Sequence, residues 1–149
     1  MHNPARIMTL MDQFVGRAER ISMLPPYVLP VFSDLDEAVF DALVRRDHYL
    51  RRVDKHIDFV VLRQSIERFY GDSGRPATEP VLMLKLEFLQ FHDNLSDSQV
   101  FQRAETDLAY RWFLGLGRDD YLPDRKTLVE FRARLGTEGH TSVFQALVG

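Results

Sequence analysis

The side chains that could do acid–base or metal chemistry are sparse and badly placed for it. His2, His48, His56, His92 and His140 include no pair three or four residues apart and no His-Glu-x-x-His run, so no helix face offers two imidazoles to a metal. They read as surface or interface residues. Asp36-Glu37 falls in an expected first helical turn, where acids suit the helix dipole, and Asp119-Asp120 in an expected solvated loop after Gly117. Cysteine is absent, which excludes disulfides and thiol nucleophiles. No Gly-x-Ser-x-Gly, phosphate-binding loop or dinucleotide fingerprint occurs. The expectation is a binding domain without catalytic residues, metal or cofactor of its own.

The cations are better placed. Arg125 and Lys126 directly follow Asp124, an expected N-cap, and so occupy the first turn of a helix. That is where a DNA-reading helix meets phosphates and base edges, helped by free backbone N–H groups. At about 100° per residue, Lys126 points away from the Leu128, Phe131 and Leu135 face, with Arg125 and Arg132 on one flank and Arg134 on the other. The plainer reading is a solvated face with pairs such as Glu130–Arg134. Arg103 and Arg111 lie in a second candidate unit, Ser96 to Leu116, where two capped helices joined at Thr106-Asp107 have a helix-turn-helix layout. Any helical bundle contains such pairs. Arg75 sits in Ser73-Gly74-Arg75-Pro76, which carries the Gly-Arg-Pro core of minor-groove hooks, although a plain turn has the same composition.

Net charge is −3, with an acid excess at the front: residues 1–43 hold three basic and six acidic side chains, while 44–92 hold nine and seven. A local DNA-facing stripe is allowed, but the chain is not a basic domain. With 45% hydrophobic and 11% aromatic residues it has the means to build a core. The N-terminus has no signal-peptide core. The densest apolar run, Val81 to Phe91, is broken by Lys85, Glu87 and Gln90 and is far short of the ~20 residues a membrane span needs.

The elements that must position these cations read as helices throughout. Residues 1–33 form a leader, with an amphipathic helix expected around Met8 to Ile21 and then Pro25, Pro26 and Pro30. Ser33 or Asp34 caps a helix with Leu35, Val39 and Leu43 on its inner face. A second starts near Asp47 and a third spans about Phe59 to Tyr70. Thr78 is an expected cap before Pro80, which opens an apolar helix to Phe91; Leu84 to Phe88 alternates like a strand, but its residues are good helix formers. Ser96 and Gln99 are spaced as a capping box. Leu108, Trp112 and Leu116 mark the inner side of a short helix, with Arg111 as their charged neighbour, and Gly136 closes the helix that begins at Asp124. Thr141 or Ser142 opens one more helix. The expected fold is all-α, a bundle of six to seven short helices with the helix-turn-helix-like unit in its C-terminal half.

From Asp47 to Gly136 the pieces resemble a known family. Asp47-His48-Tyr49-Leu50-Arg51-Arg52-Val53-Asp54 is followed by Gly74-Arg75-Pro76, the Pro80-led helix and Asn94-Leu95-Ser96-Asp97. Then come Leu108-Ala109-Tyr110-Arg111-Trp112-Phe113-Leu114-Gly115-Leu116, Pro123-Asp124, Thr127-Leu128, Phe131-Arg132 and Arg134-Leu135-Gly136. This order resembles the InsH-type N-terminal domain of bacterial insertion-sequence transposases. Glu87 departs from it by placing an acid in a helix that is otherwise apolar. The resemblance implies a domain that binds the terminal inverted repeats of its element. It also implies an RNase H-like catalytic domain beyond Gly149, absent from this chain, and a bacterial cytoplasmic, nucleoid-associated setting.

The expected organisation is therefore a leader over 1–33, a helical DNA-binding domain over 34–136, and a linker or helix toward the catalytic domain over 137–149. Double-stranded DNA at element ends is the expected partner, contacted by Arg111, Arg125, Lys126, Arg132 and Arg134, with Arg103 and Arg75 in support. The alternative is a helical dimerisation module that pairs with a second copy or with a full-length transposase.

Overall fold

A computed structural model describes residues 23–72 and 74–149. Among them are seven α-helices and no strand: α1 (Asp34–Leu43), α2 (Tyr49–His56), α3 (Phe59–Ile66, continued by a 3-10 turn over Glu67–Phe69), α4 (Pro80–His92), α5 (Asp97–Thr106), α6 (Leu108–Leu114) and α7 (Arg125–Val148). The all-α expectation holds. The helix expected over Met8 to Ile21 and the position of Ser73 lie outside the described residues.

Local capping chemistry sets most helix starts. Ser33 Oγ accepts the Asp36 N–H at 3.1 Å, Asp107 Oδ1 that of Tyr110 at 3.1 Å, and Asp124 Oδ1 that of Lys126 at 3.0 Å. Ser96 and Gln99 form the reciprocal capping box. Two starts differ from expectation. His48, not Asp47, caps α2 by accepting the Leu50 N–H on Nδ1. Glu79, not Thr78, caps α4 and leaves Pro80 at the first helical position, where no N–H is needed.

The apolar helix α4 runs through the middle, burying Val81, Met83, Leu84, Leu86 and Leu89. Around it pack Phe40, Leu50, Leu62, Ile66, Val100, Tyr110, Phe113, Leu128 and Phe131 in one core. The inner face of α1 is Phe40, with Val44 just beyond the helix; Leu35 and Leu43 are exposed. Stripes 35/39/43 and 36/40/44 have identical spacing, and the larger Phe40 together with an Asp36–Arg118 pair turns the second one inward.

Residues 23–33 are tied to this body. Met23 exchanges backbone hydrogen bonds with Gly71 and Ala77, Leu24 is buried, and Arg63 Nη2 donates to the Pro25 carbonyl at 2.6 Å. At the other end, Gly136 interrupts α7 with φ 58° and ψ −161°, and the helix resumes at once. It thus has a body half, Arg125 to Leu135, and an arm, residues 137–148.

Candidate nucleic-acid interface

The exposed first turn of α7 carries Arg125 and Lys126, and the two side chains face different clefts. Lys126 lines a cleft of about 510 Å³ together with Arg75 and Arg134, above a floor that includes Tyr70, Met83 and Phe131. Arg75 arrives there on the loop between the 3-10 turn and α4, where Gly74 takes φ 122° with the Met23 side chain beside it. Neither Arg75 nor Lys126 has an ion-pair partner among the described residues. Arg134 lies 4.6 Å over the ring of Tyr70. Burial pushes the Tyr70 phenol up to about 12, so it stays protonated near neutral pH. Asp124 and Glu130 also line the rim, so the cleft is cation-rich without being uniformly positive.

Arg125 opens onto a second groove, of about 990 Å³, between α5 and the loop that leads into α7. Its guanidinium donates to Ser98 Oγ. Tyr121, 94% exposed, stands on that loop at the same groove.

The other three expected contacts are committed elsewhere. Arg132 donates to Asp97 at 3.0 Å and to Gln90, with Glu87 at 3.9 Å. The bond from Arg132 foremost, and then one donated by Gln90 Nε2 at 2.6 Å, hold the Asp97 carboxyl below the usual carboxylate range. Arg103 pairs with Asp107 at 3.3 Å and Asp93 at 3.7 Å and lies over the Tyr110 ring.

Arg111 is enclosed. It is 7% exposed, and its guanidinium donates to the carbonyls of Ala104, Gly117 and Asp120. The reason is the rotation of α6: Ala109, Tyr110, Phe113 and Leu114 are buried with it, while Leu108 and Trp112 are only half-buried. The helix-turn-helix reading is not confirmed, because five of the seven residues of its second helix are enclosed. Arg75, Lys126 and Arg134 thus line one cleft and Arg125 another groove.

Spacing alone did not reveal the Asp93 cluster that holds this half of the fold. Tyr49 donates to Asp93 Oδ2 at 2.6 Å, Tyr110 donates to the same oxygen, and His92 Nδ1 sits 2.9 Å from Oδ1. Burial alone would raise the Asp93 pKa, but these three partners and Arg103 hold it below its ordinary value. Among the described residues no group of three or more His, Asp or Glu could hold a metal ion, and no helix is long and apolar enough to cross a membrane.

Comparison with known proteins places this architecture. The chain is similar to an uncharacterized protein, ORF8 in the nfe locus of Rhizobium meliloti, at 27% identity over 118 residues. That match covers 78% of this chain and 57% of the relative, so the chain spans little more than half of the protein it resembles. No solved structure matches. The family profile described as Transposase domain (DUF772) matches residues 38–134, from α1 to the end of the body half of α7, and the chain belongs to that transposase domain family.

Proposed function

We propose that this domain binds double-stranded DNA at the ends of its own insertion element, and so positions a transposase for transposition. The observation that carries the reading is the convergence of Arg75, Lys126 and Arg134, from a loop and from the body half of α7, on one cleft beside the Asp124-capped start of that helix. Cations without ion-pair partners, grouped in one cleft, suit a phosphodiester backbone. Arg125 extends the contact into the neighbouring groove. Strand cleavage and transfer are assigned to residues outside this domain, and the bacterial nucleoid is the proposed setting.

The test is a mobility-shift titration with a duplex carrying the terminal inverted repeats that flank the reading frame, against a scrambled duplex. Tighter binding to the repeats, with log K falling by about 0.9 per phosphate contact as log salt rises, supports the reading. Equal affinity for the two duplexes removes end recognition, and no binding to either removes DNA as partner.

A second reading rests on the arm of α7, where Phe144, Leu147 and Val148 are exposed. Here the domain joins a second copy or a full-length transposase. Light scattering that finds a dimer indifferent to DNA favours it.

A further inference from the structure

Glu87 stands alone as an acid in the apolar helix α4, and the fold gives it one partner from beyond the Gly136 break. His140 Nε2 lies 3.0 Å from Glu87 Oε2, while His140 Nδ1 lies 2.7 Å from the Gly136 carbonyl. Both ring nitrogens therefore face atoms that only accept. A neutral imidazole has a single N–H and leaves one of these contacts as lone pair against lone pair; only the imidazolium donates to both.

We infer that His140 is a protonation-operated clasp, fixing the arm of α7 to α4 while the imidazole carries two protons and loosening it when one is lost. This does not depend on the proposed DNA contacts. The arm is built to be held this way. Its helix breaks at Gly136, where an added Cβ would meet nothing within 4 Å, and beyond the break only Gly139 and Ser142 are buried. Of its apolar side chains, Val143 and Ala146 are only half-buried, and Phe144, Leu147 and Val148 face outward. Polar contacts thus carry a large share of its docking.

The charged groups around the clasp set its sign. Glu87 faces His140 from α4, and Arg132, on the body half of α7, lies 3.9 Å from the same Glu87 oxygen. Arg132 is drawn off by Asp97 of α5 at 2.9 Å, which leaves Glu87 to the imidazole. On the far side, Arg68 of the 3-10 turn donates to Ser142 at 2.8 Å and pairs with Glu138 at 3.6 Å, a second tether of the arm. Partial burial and, less, the Arg132 charge pull the His140 pKa down, but the Gly136 carbonyl and Glu87 outweigh them and leave the pKa above the ordinary 6.5. A raised folded-state value means that the stabilisation is complete in mild acid and is lost as pH rises through that value.

The experiment is NMR on the whole chain. The His140 ring is titrated, and amide protection is measured across pH after division by the intrinsic exchange rate. Protection over 137–148 is expected to fall as pH passes the His140 midpoint, while protection over 128–135 stays level. Glu87→Gln should lower the midpoint by about one unit, a tenfold loss of proton affinity. His140→Gln, which cannot gain a charge, should show the low-protection arm at every pH. An arm whose protection tracks 128–135 throughout, an unmoved midpoint in Glu87→Gln, or an arm in His140→Gln as protected in acid as the wild type would each overturn the clasp.

Discussion

The guanidinium of Arg111 donates through Nη2 to the Gly117 carbonyl at 2.6 Å, closing the loop that follows α6 from beneath. The same nitrogen reaches the Asp120 carbonyl, so one buried cation sets the course of the chain toward the α7 start. Arg111→Ala should therefore act on stability. Hydrogen bonds from a charged donor are worth about 1.5–3 kcal/mol each, and removal also strands the carbonyls, so a loss of about 3 kcal/mol is expected from urea unfolding. A variant that keeps its stability and loses only DNA affinity would return Arg111 to the binding surface.

For the opposite class of residue, Arg125→Ala combined with Lys126→Ala should hardly move the thermal midpoint. The salt dependence of DNA binding should flatten by about 1.8 in log–log slope, two phosphate contacts at 0.9 each. Arg132→Ala provides the contrast. It should cost about 1 kcal/mol of stability through Asp97 and Gln90 and leave the slope unchanged.

Asp93 makes stability acid-sensitive. Its folded-state pKa is lowered, so its contribution is present above the unfolded value of about 3.9 and is lost as pH falls through the folded one. Asp93→Asn should lose about 2 kcal/mol at neutral pH, because the hydroxyls of Tyr49 and Tyr110 then donate to a neutral acceptor. Its unfolding midpoint should also decline less steeply than the wild type's between about pH 5 and 3. Parallel acid limbs would remove Asp93 as the titrating group.

Gly136→Ala tests the break in α7. The backbone region it occupies is essentially reserved for glycine, at a cost of about 1–3 kcal/mol for other residues, and no steric clash competes as an explanation. The variant should melt earlier and show altered amide protection confined to 137–148. An unchanged melting point would mean that the backbone relaxes there freely.

Much of the fold was legible because it is written in short-range chemistry. Ser33, Ser96, Asp107 and Asp124 cap where a side-chain oxygen can reach an N–H two or three residues on. Gly115 and Gly136 lie at positive φ where helices were expected to stop. What local spacing could not decide was rotation. On α1 two equivalent stripes compete, and only contact across the fold selects Phe40 over Leu35. On α6, Arg111 had every mark of a surface cation, because the carbonyls that enclose it come from Ala104, Gly117 and Asp120, outside its own helix. The cleft joining Arg75 to Lys126 has no signature in either segment, since their separation along the chain is bridged only by tertiary packing.

Arg63 is buried between Glu67, Glu79 and the Pro25 carbonyl, Arg111 is sealed under a loop, and half-buried Arg51 lies 4.3 Å over Trp112 while donating to the Phe40 and Val44 carbonyls. Arg111 and Arg51 direct their guanidinium charge at internal carbonyls and Arg63 at two carboxylates and a carbonyl, so these three cations add little to the positive charge of the surface. A polyanion approaching this surface would meet exposed cations at the α7 start, Arg125 and Lys126, and on α2, Arg52 and Lys55, rather than at these three. On the proposed DNA reading, the formal charge of the chain is therefore a poor guide to where a duplex would make contact.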